Sequence, residues 1–253
     1  MELIYRSRGE GPVLIMLHGL FGAGDNLGGI AGLLSDVFQT ITIDQRNHGR
    51  SPHSDEMNYT VMAADIDAFM EQKGIAQALL FGHSMGGKVA MQLSLDYPER
   101  VKKLIVADIA PVTYGNHMEK ILAGMAAVRA AAPQSRKGAG EVLADYEPDT
   151  GVLDFLLNNW RRTESGGWDW RLNVDVINSE YNNIAKGLTG TPYQGDVLFL
   201  RGSQSDYIRS EHRDEILTLF PKANVRTIEG TGHWLHAEKP EMVVRAVRKF
   251  LLA

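Results

Sequence analysis

Hydrophobic positions along this chain follow two patterns that take turns. Short, nearly continuous apolar runs occupy Val13–Leu17, Thr40–Ile43, Ala78–Phe81, Leu104–Ala107 and Val197–Leu200, with a weaker run at Asn224–Ile228. Glycine or polar turn residues bound each run, and none is long enough for a buried helix, so each predicts a strand. Unbroken apolar runs, rather than alternating ones, predict strands covered on both faces, as in a parallel sheet. Between them the apolar positions recur at helical spacing. One helix is predicted over Val61–Lys73, with Thr60 as cap and Gly74 as stop, and another over Gly86–Tyr97, ended by Pro98. Pro240 stands at a first helical position, ahead of Glu241–Leu252. Strand then helix, repeated, predicts an α/β fold: a doubly wound, mostly parallel central sheet flanked by helices.

The rhythm breaks between about residues 112 and 193. That stretch holds alanine-rich and mixed helical segments, a polar turn near Ser165–Gly167, and three of the four tryptophans, Trp160, Trp168 and Trp170. The expected organisation is an α/β core from residues 1–111 and 194–253, with a helical cap inserted at 112–193. Ordinary crossover helices with their own core are the blander alternative. The chain shows no internal repeat and no low-complexity tract.

Composition narrows the function. The chain has 253 residues, 44% hydrophobic and 23% charged, which is ordinary for a globular protein. A formal net charge of −5 gives no bulk attraction for nucleic acid or acidic membranes. The absence of cysteine excludes disulfide scaffolds, thiol nucleophiles and cysteine zinc sites together. No apolar run approaches the roughly 18–20 residues of a membrane span. The amino end, MELIYRSRGEGP, lacks the apolar region of a secretory signal. A cytoplasmic, soluble protein with no cofactor is expected; its oligomeric state is not legible.

The most informative run is ALLFGHSMGGKVAM, Ala78–Met91. A strand ends near Gly82, a helix begins near Gly86, and Ser84 stands between them in a G-x-S-x-G motif. A serine on such a turn is held in strained backbone geometry with its hydroxyl clear of the sheet. Small residues two before and two after let the backbones pass. The amino end of the next helix favours a developing oxyanion. A decoy overlaps this run: Gly82, Gly87 and Lys88 match a phosphate-binding loop until Val89, which lacks the hydroxyl that Mg²⁺ requires. Lys88 is therefore expected as a charge on the helix surface.

The strand VLIML leads directly into HGLFGAG, His18–Gly24. A tetrahedral intermediate needs two backbone N–H donors, and Met85 and Leu20 are the candidates. Gly22-x-Gly24, with Asp44 about 20 residues on, hints at dinucleotide binding, but Leu27 stands where the third glycine belongs. In DQRNHGRSP, Asp44–Pro52, Asp44 and Arg46 are expected to brace a loop, with His48 and Ser51 outside the catalytic set. His233, in EGTGHWLHAEKP after the last strand, suits a general base because an imidazole titrates near neutrality. His236 makes an H-x-x-H pair with it, but no third metal ligand stands out. Two strand-end carboxylates can orient His233: Asp108 in LIVADIAP and Asp206 in LFLRGSQSDYI.

HGLFGAGDNLGG, IDQRNHGRSPHSDEMNY, FGHSMGGKVAM, LIVADIAPV and FPKANVRTIEGTGHWLHAEKP together resemble the α/β-hydrolase superfamily, more closely its bacterial YbfF-type esterases and their mitochondrial relatives. The wider superfamily carries its acid in a G-x-x-D turn after the penultimate strand. Counted from Gly202 that slot holds Ser205, and Asp206 lies one residue late. In the YbfF-like group the acid follows the strand after the nucleophile helix, which implies Asp108. The resemblance further implies a serine esterase acting on a small-molecule substrate, a short- to medium-chain acyl ester, with acyl thioesters also in range. Aromatic residues of the cap are candidates for an acyl pocket, and Arg129, Arg136, Arg161 and Arg162 for an anionic leaving group such as coenzyme A. A receptor or scaffold on the same fold, binding its ligand with little turnover, is the second class.

Overall fold

Each apolar run becomes a strand: Val13–Leu17 with unchanged bounds, the other five longer by one to three residues. The computed structural model describes residues 1–253. In chain order its elements are β1 (Tyr5–Arg8), β2 (Val13–Leu17), α1 (Gly28–Leu34), β3 (Gln39–Ile43), α2 (Tyr59–Gln72), β4 (Ala78–His83), α3 (Met85–Asp96) and β5 (Val101–Ala107). Then come α4 (Glu119–Ala131), α5 (Arg136–Leu143), α6 (Thr150–Leu157), β6 (Trp160–Arg162), β7 (Trp168–Trp170), α7 (Val174–Ser179) and α8 (Tyr181–Ala185). The chain closes with β8 (Val197–Gly202), α9 (Arg213–Leu219), β9 (Ala223–Ile228), α10 (Leu235–Glu238) and α11 (Pro240–Leu251).

Seven strands make one sheet in the order β1-β3-β2-β4-β5-β8-β9. Only β1 runs antiparallel. It is a fully exposed edge strand, so it carries no apolar run and is invisible to hydrophobic pattern. The inner strands divide their side chains by alternation. Ile15, Leu17, Leu80 and Val106 pack with α2 and α3 on one face, while Leu14, Met16, Phe81 and Ile105 pack with α1 and α11 on the other. Both faces are dry, which explains why the strands read as unbroken apolar runs.

Helix α2 starts two residues earlier than predicted. Asn58 rather than Thr60 is its cap, in extended geometry, and its side-chain oxygen accepts the Val61 N–H at 3.0 Å. Gly74 follows at φ 66°, as a helix stop requires.

The segment between β5 and β8 is not wholly helical. It includes a hairpin, β6–β7, in which Trp160 faces Trp170. Their rings meet edge to face at 5.1 Å, and Trp170 Nε1 donates to the Met125 carbonyl at 2.8 Å. The two ends of this segment are laced together: Leu188 N–H donates to Pro111 O at 2.8 Å, and Tyr114 N–H to Ala185 O at 2.9 Å.

Lys88 departs from expectation. It is only 1% exposed, not a surface charge. Its ammonium donates to Val112 O at 2.8 Å, to Ala185 O at 3.3 Å and to Lys186 O, and lies over the rings of Tyr59 and Tyr114. Burial pushes its pKa down to about 7, while the three carbonyls favour the charged form. One lysine on α3 thus bolts both ends of the segment to the core.

Candidate active site

Four loops at the carboxyl edge of the parallel strands converge here, where open α/β sheets place their sites. Ser84 follows β4, Asp108 follows β5, His233 lies beyond β9, and Leu20 lies beyond β2. The β4–α3 turn is built around Ser84, at φ 53° and ψ −122°. Its N–H still donates to Ala107 O at 2.9 Å, so the sheet ladder holds the turn. The flanking glycines are there because nothing larger fits. A Cβ on Gly82 would lie 2.2 Å from Gly86 O, and one on Gly86 2.3 Å from Leu17 O.

Ser84 Oγ stands 3.0 Å from His233 Nε2, and His233 Nδ1 stands 2.8 Å from Asp108 Oδ2. Of the two carboxylates left open by the sequence, the structure places Asp108 against His233. Asp206 is exposed and makes no bond to the imidazole. Asp108 is fully buried, also at a left-handed φ of 54°. Its N–H bonds Leu200 O at 2.8 Å, tying β5 to β8. Three donors hold its carboxylate: Gly202 N–H at 2.9 Å, the Ser205 hydroxyl, and the imidazole. Ser205, in the G-x-x-D slot counted from Gly202, thus donates to Asp108. Three donors fix the carboxylate in place beside the imidazole.

His233 is held on several sides. Tyr207 stacks on its ring with centroids 4.1 Å apart, and its backbone carbonyl accepts from His83 Nε2 at 2.9 Å. His83 and His236 pack ring to ring at 4.3 Å. Burial holds both below the ordinary histidine range, His236 at about 4, so both are neutral near pH 7. No third ligand joins His233 and His236 in a cluster able to hold a metal.

The Leu20 loop is braced by the DQRNHGRSP stretch. Asp44 accepts the N–H groups of Gly24 at 2.7 Å and Arg50 at 2.9 Å, and Arg46 pairs with Asp65 at 2.6 Å. His48 Nδ1–H donates to Arg46 O at 2.9 Å, and its Nε2 accepts the Phe21 N–H at 3.2 Å. Burial and the neighbouring His18 hold His48 down at about 3, so that Nε2 remains an acceptor. This bracing role of His48 left no signal in residue spacing. Leu20 N–H makes no hydrogen bond within the chain, and Met85 N–H lies in the first turn of α3, outside the helical ladder. Both residues line the same cavity as Ser84 and His233.

That cavity has a volume of about 790 Å³. Its apolar wall includes Ile121, Val152, Phe155, Leu156 and Ile184 from the segment between β5 and β8, and Trp234 beside His233. The three tryptophans of the segment do not line it; Trp160 and Trp170 are buried in the hydrophobic core, and Trp168 packs partly buried against it. None of Arg129, Arg136, Arg161 and Arg162 lines it either. Arg129 is engaged with Asp169 and Asp175, and Arg136 with Asp154.

The chain is similar to known proteins over nearly its whole length. A family model described as alpha/beta hydrolase fold matches residues 12–240. The esterase YbfF of Escherichia coli (strain K12) is 38% identical over 239 residues, covering 94% of this chain and 92% of that protein. The sn-1-specific diacylglycerol lipase ABHD11 of Mus musculus is 39% identical over 250 residues, covering 95% of this chain and 81% of that protein. A solved structure described as a marine microorganism esterase superposes with a TM-score of 0.96 at 42% identity, covering 98% of this chain and 99% of the other. A serine turn on a parallel sheet, matched over nearly its whole length by proteins of this architecture, means that the chain belongs to the alpha/beta hydrolase fold family.

Proposed function

We propose that this protein is a serine esterase that hydrolyses short- to medium-chain carboxylic esters through an acyl-enzyme on Ser84. The observation that carries the reading is the line Ser84 Oγ, His233, Asp108, with contacts of 3.0 and 2.8 Å, at an apolar cavity. Ser84 Oγ attacks the acyl carbonyl while His233 Nε2 takes its proton. Asp108 holds the imidazole in the Nδ1–H tautomer and stabilises the cation that forms. The N–H groups of Leu20 and Met85 receive the oxyanion. His233 returns its proton to the departing alcohol, and water, activated by the same imidazole, releases the acid. Residues 112–193 serve as a cap whose apolar wall holds the acyl chain. Esters are favoured over coenzyme A thioesters, because no arginine lines the cavity, its one lysine, Lys88, is engaged by backbone carbonyls, and Glu147 and Asp149 do line it.

The test is hydrolysis of p-nitrophenyl esters of increasing chain length, wild type beside Ser84→Ala. Serine-dependent turnover is expected, lost by about 10⁴-fold or more in the variant. Equal turnover in both proteins would remove Ser84 from the mechanism.

A further inference from the structure

We propose that Asn159 is a positioning residue that aims the Leu20 N–H at the oxyanion. The inference rests on the esterase reading and adds to it a part played by the segment between β5 and β8. Leu20 N–H is free, so its direction depends on its own peptide plane. That peptide is trans and planar, so the N–H points opposite to the Gly19 carbonyl. Whatever fixes Gly19 O therefore aims Leu20 N–H.

Two donors fix it: Gly22 N–H at 3.0 Å and His18 Nδ1–H at 2.9 Å. His18 has no freedom of its own, because its Nε2 accepts the Gln45 N–H at 3.1 Å. Gly22 N–H in turn belongs to the planar peptide whose carbonyl is Phe21 O. That carbonyl accepts Asn159 Nδ2–H at 2.8 Å. The series runs from the Asn159 amide through the Phe21–Gly22 peptide and the Gly19–Leu20 peptide to the free donor. Each peptide passes orientation to the next, and each hydrogen bond polarises its neighbour.

Asn159 is built to hold still. It lies between α6 and β6, is 5% exposed, and its amide also donates to Leu156 O at 3.2 Å. Its backbone carbonyl accepts Arg171 N–H at 2.8 Å. What it holds needs holding: Phe21 sits at φ 61°, a left-handed conformation that costs a non-glycine residue free energy. His48 grips the Phe21 N–H and Asn159 grips the Phe21 carbonyl. Without the second grip the loop can relax towards negative φ, which turns Gly22 N–H away from Gly19 O. An oxyanion donor tolerates little such drift, since it acts at roughly 2.7–3.1 Å.

The experiment compares Asn159→Asp, which keeps the shape but cannot donate, and Asn159→Leu with wild type. Each is checked for folding by thermal melting, with Asn159→Ser in reserve for a variant that does not fold. Expected is a kcat about 10- to 100-fold lower with KM within about threefold, because the interaction matters only once the oxyanion forms. An alkyl trifluoromethyl ketone, whose serine adduct carries an oxyanion, should lose affinity by the same factor. The alcohol product, which carries no oxyanion, should bind unchanged. A folded variant with kcat within about twofold of wild type would overturn the proposal. So would a fall in kcat with unchanged trifluoromethyl ketone affinity, the mark of a merely structural role. If the wild type shows no serine-dependent ester turnover, the esterase reading fails first. If it does and the variants keep their kcat, only the role of Asn159 fails.

Discussion

Ser84 and Asp108 both occupy left-handed backbone, at φ 53° and 54°, where few non-glycine residues settle unless their surroundings hold them. Each sits one residue past a strand, and each is tied by its own N–H to the neighbouring strand. Ser84 was legible in the sequence because the crowding around it forces glycine at fixed distances on both sides. Asp108 was not legible from the residues alone. Two strand-end aspartates look alike until β5 and β8 are set side by side, and that register brings the His233 ring to one of them. The Ser205 hydroxyl and the brackets from His48 and Asn159 left no trace, because bonds between distant loops have no spacing rule. The geometry makes a sharp expectation for the acid. Asp108→Asn should lower kcat by about 10⁴, through loss of the Nδ1–H tautomer. Asp206→Asn should stay within about threefold of wild type, as an exposed substitution with no bond to the imidazole. Steady-state kinetics of the two variants check this, and the reverse ranking would reassign the acid.

At the scale of elements, α3 does two things at once. Its first residue presents a free N–H to the cavity, and one turn later Lys88 anchors both ends of the segment between β5 and β8. A charge in mid-helix reads as a surface residue, since lysine is rarely buried. Only the tertiary fold reveals the three carbonyls that receive it. Helix α2 and the hairpin β6–β7 teach a related lesson: cap identity and three-residue strands depend on contacts that periodicity does not carry. Lys88→Met keeps the stem length and removes the donors. Leaving the carbonyls of Val112 and Lys186 short of partners should cost about 2–4 kcal/mol. For a chain of this size that is roughly 5–15 °C in Tm. Thermal denaturation at pH 7 measures it, and a Tm within about 1 °C of wild type would show that Lys88 anchors nothing.

Across the whole molecule, alternating strands and helices predicted the α/β class, while strand order and the exposed edge strand β1 emerged only from packing. Packing also decides how the molecule responds to acid. His18, His48, His83 and His236 are all buried, and burial lowers all four, His48 to about 3 and His236 to about 4. In the unfolded chain these imidazoles return to about 6.5. The unfolded state therefore takes up protons first as the pH falls. Stability is complete above about 6.5 and declines towards about 4, each such histidine contributing about 1.4 kcal/mol per pH unit within its window. The urea midpoint should fall between pH 6.5 and 5, with more than one proton bound on unfolding; a flat or rising midpoint would contradict this. The central claim is that one serine, activated by His233 and Asp108, carries the acyl group. It is tested most directly by treating the protein with a p-nitrophenyl alkylphosphonate and mapping the adduct by peptide mass spectrometry. One adduct per chain on the Ser84 peptide, with ester turnover lost in proportion, is the result predicted. Adducts elsewhere, or full turnover by the modified protein, would contradict it.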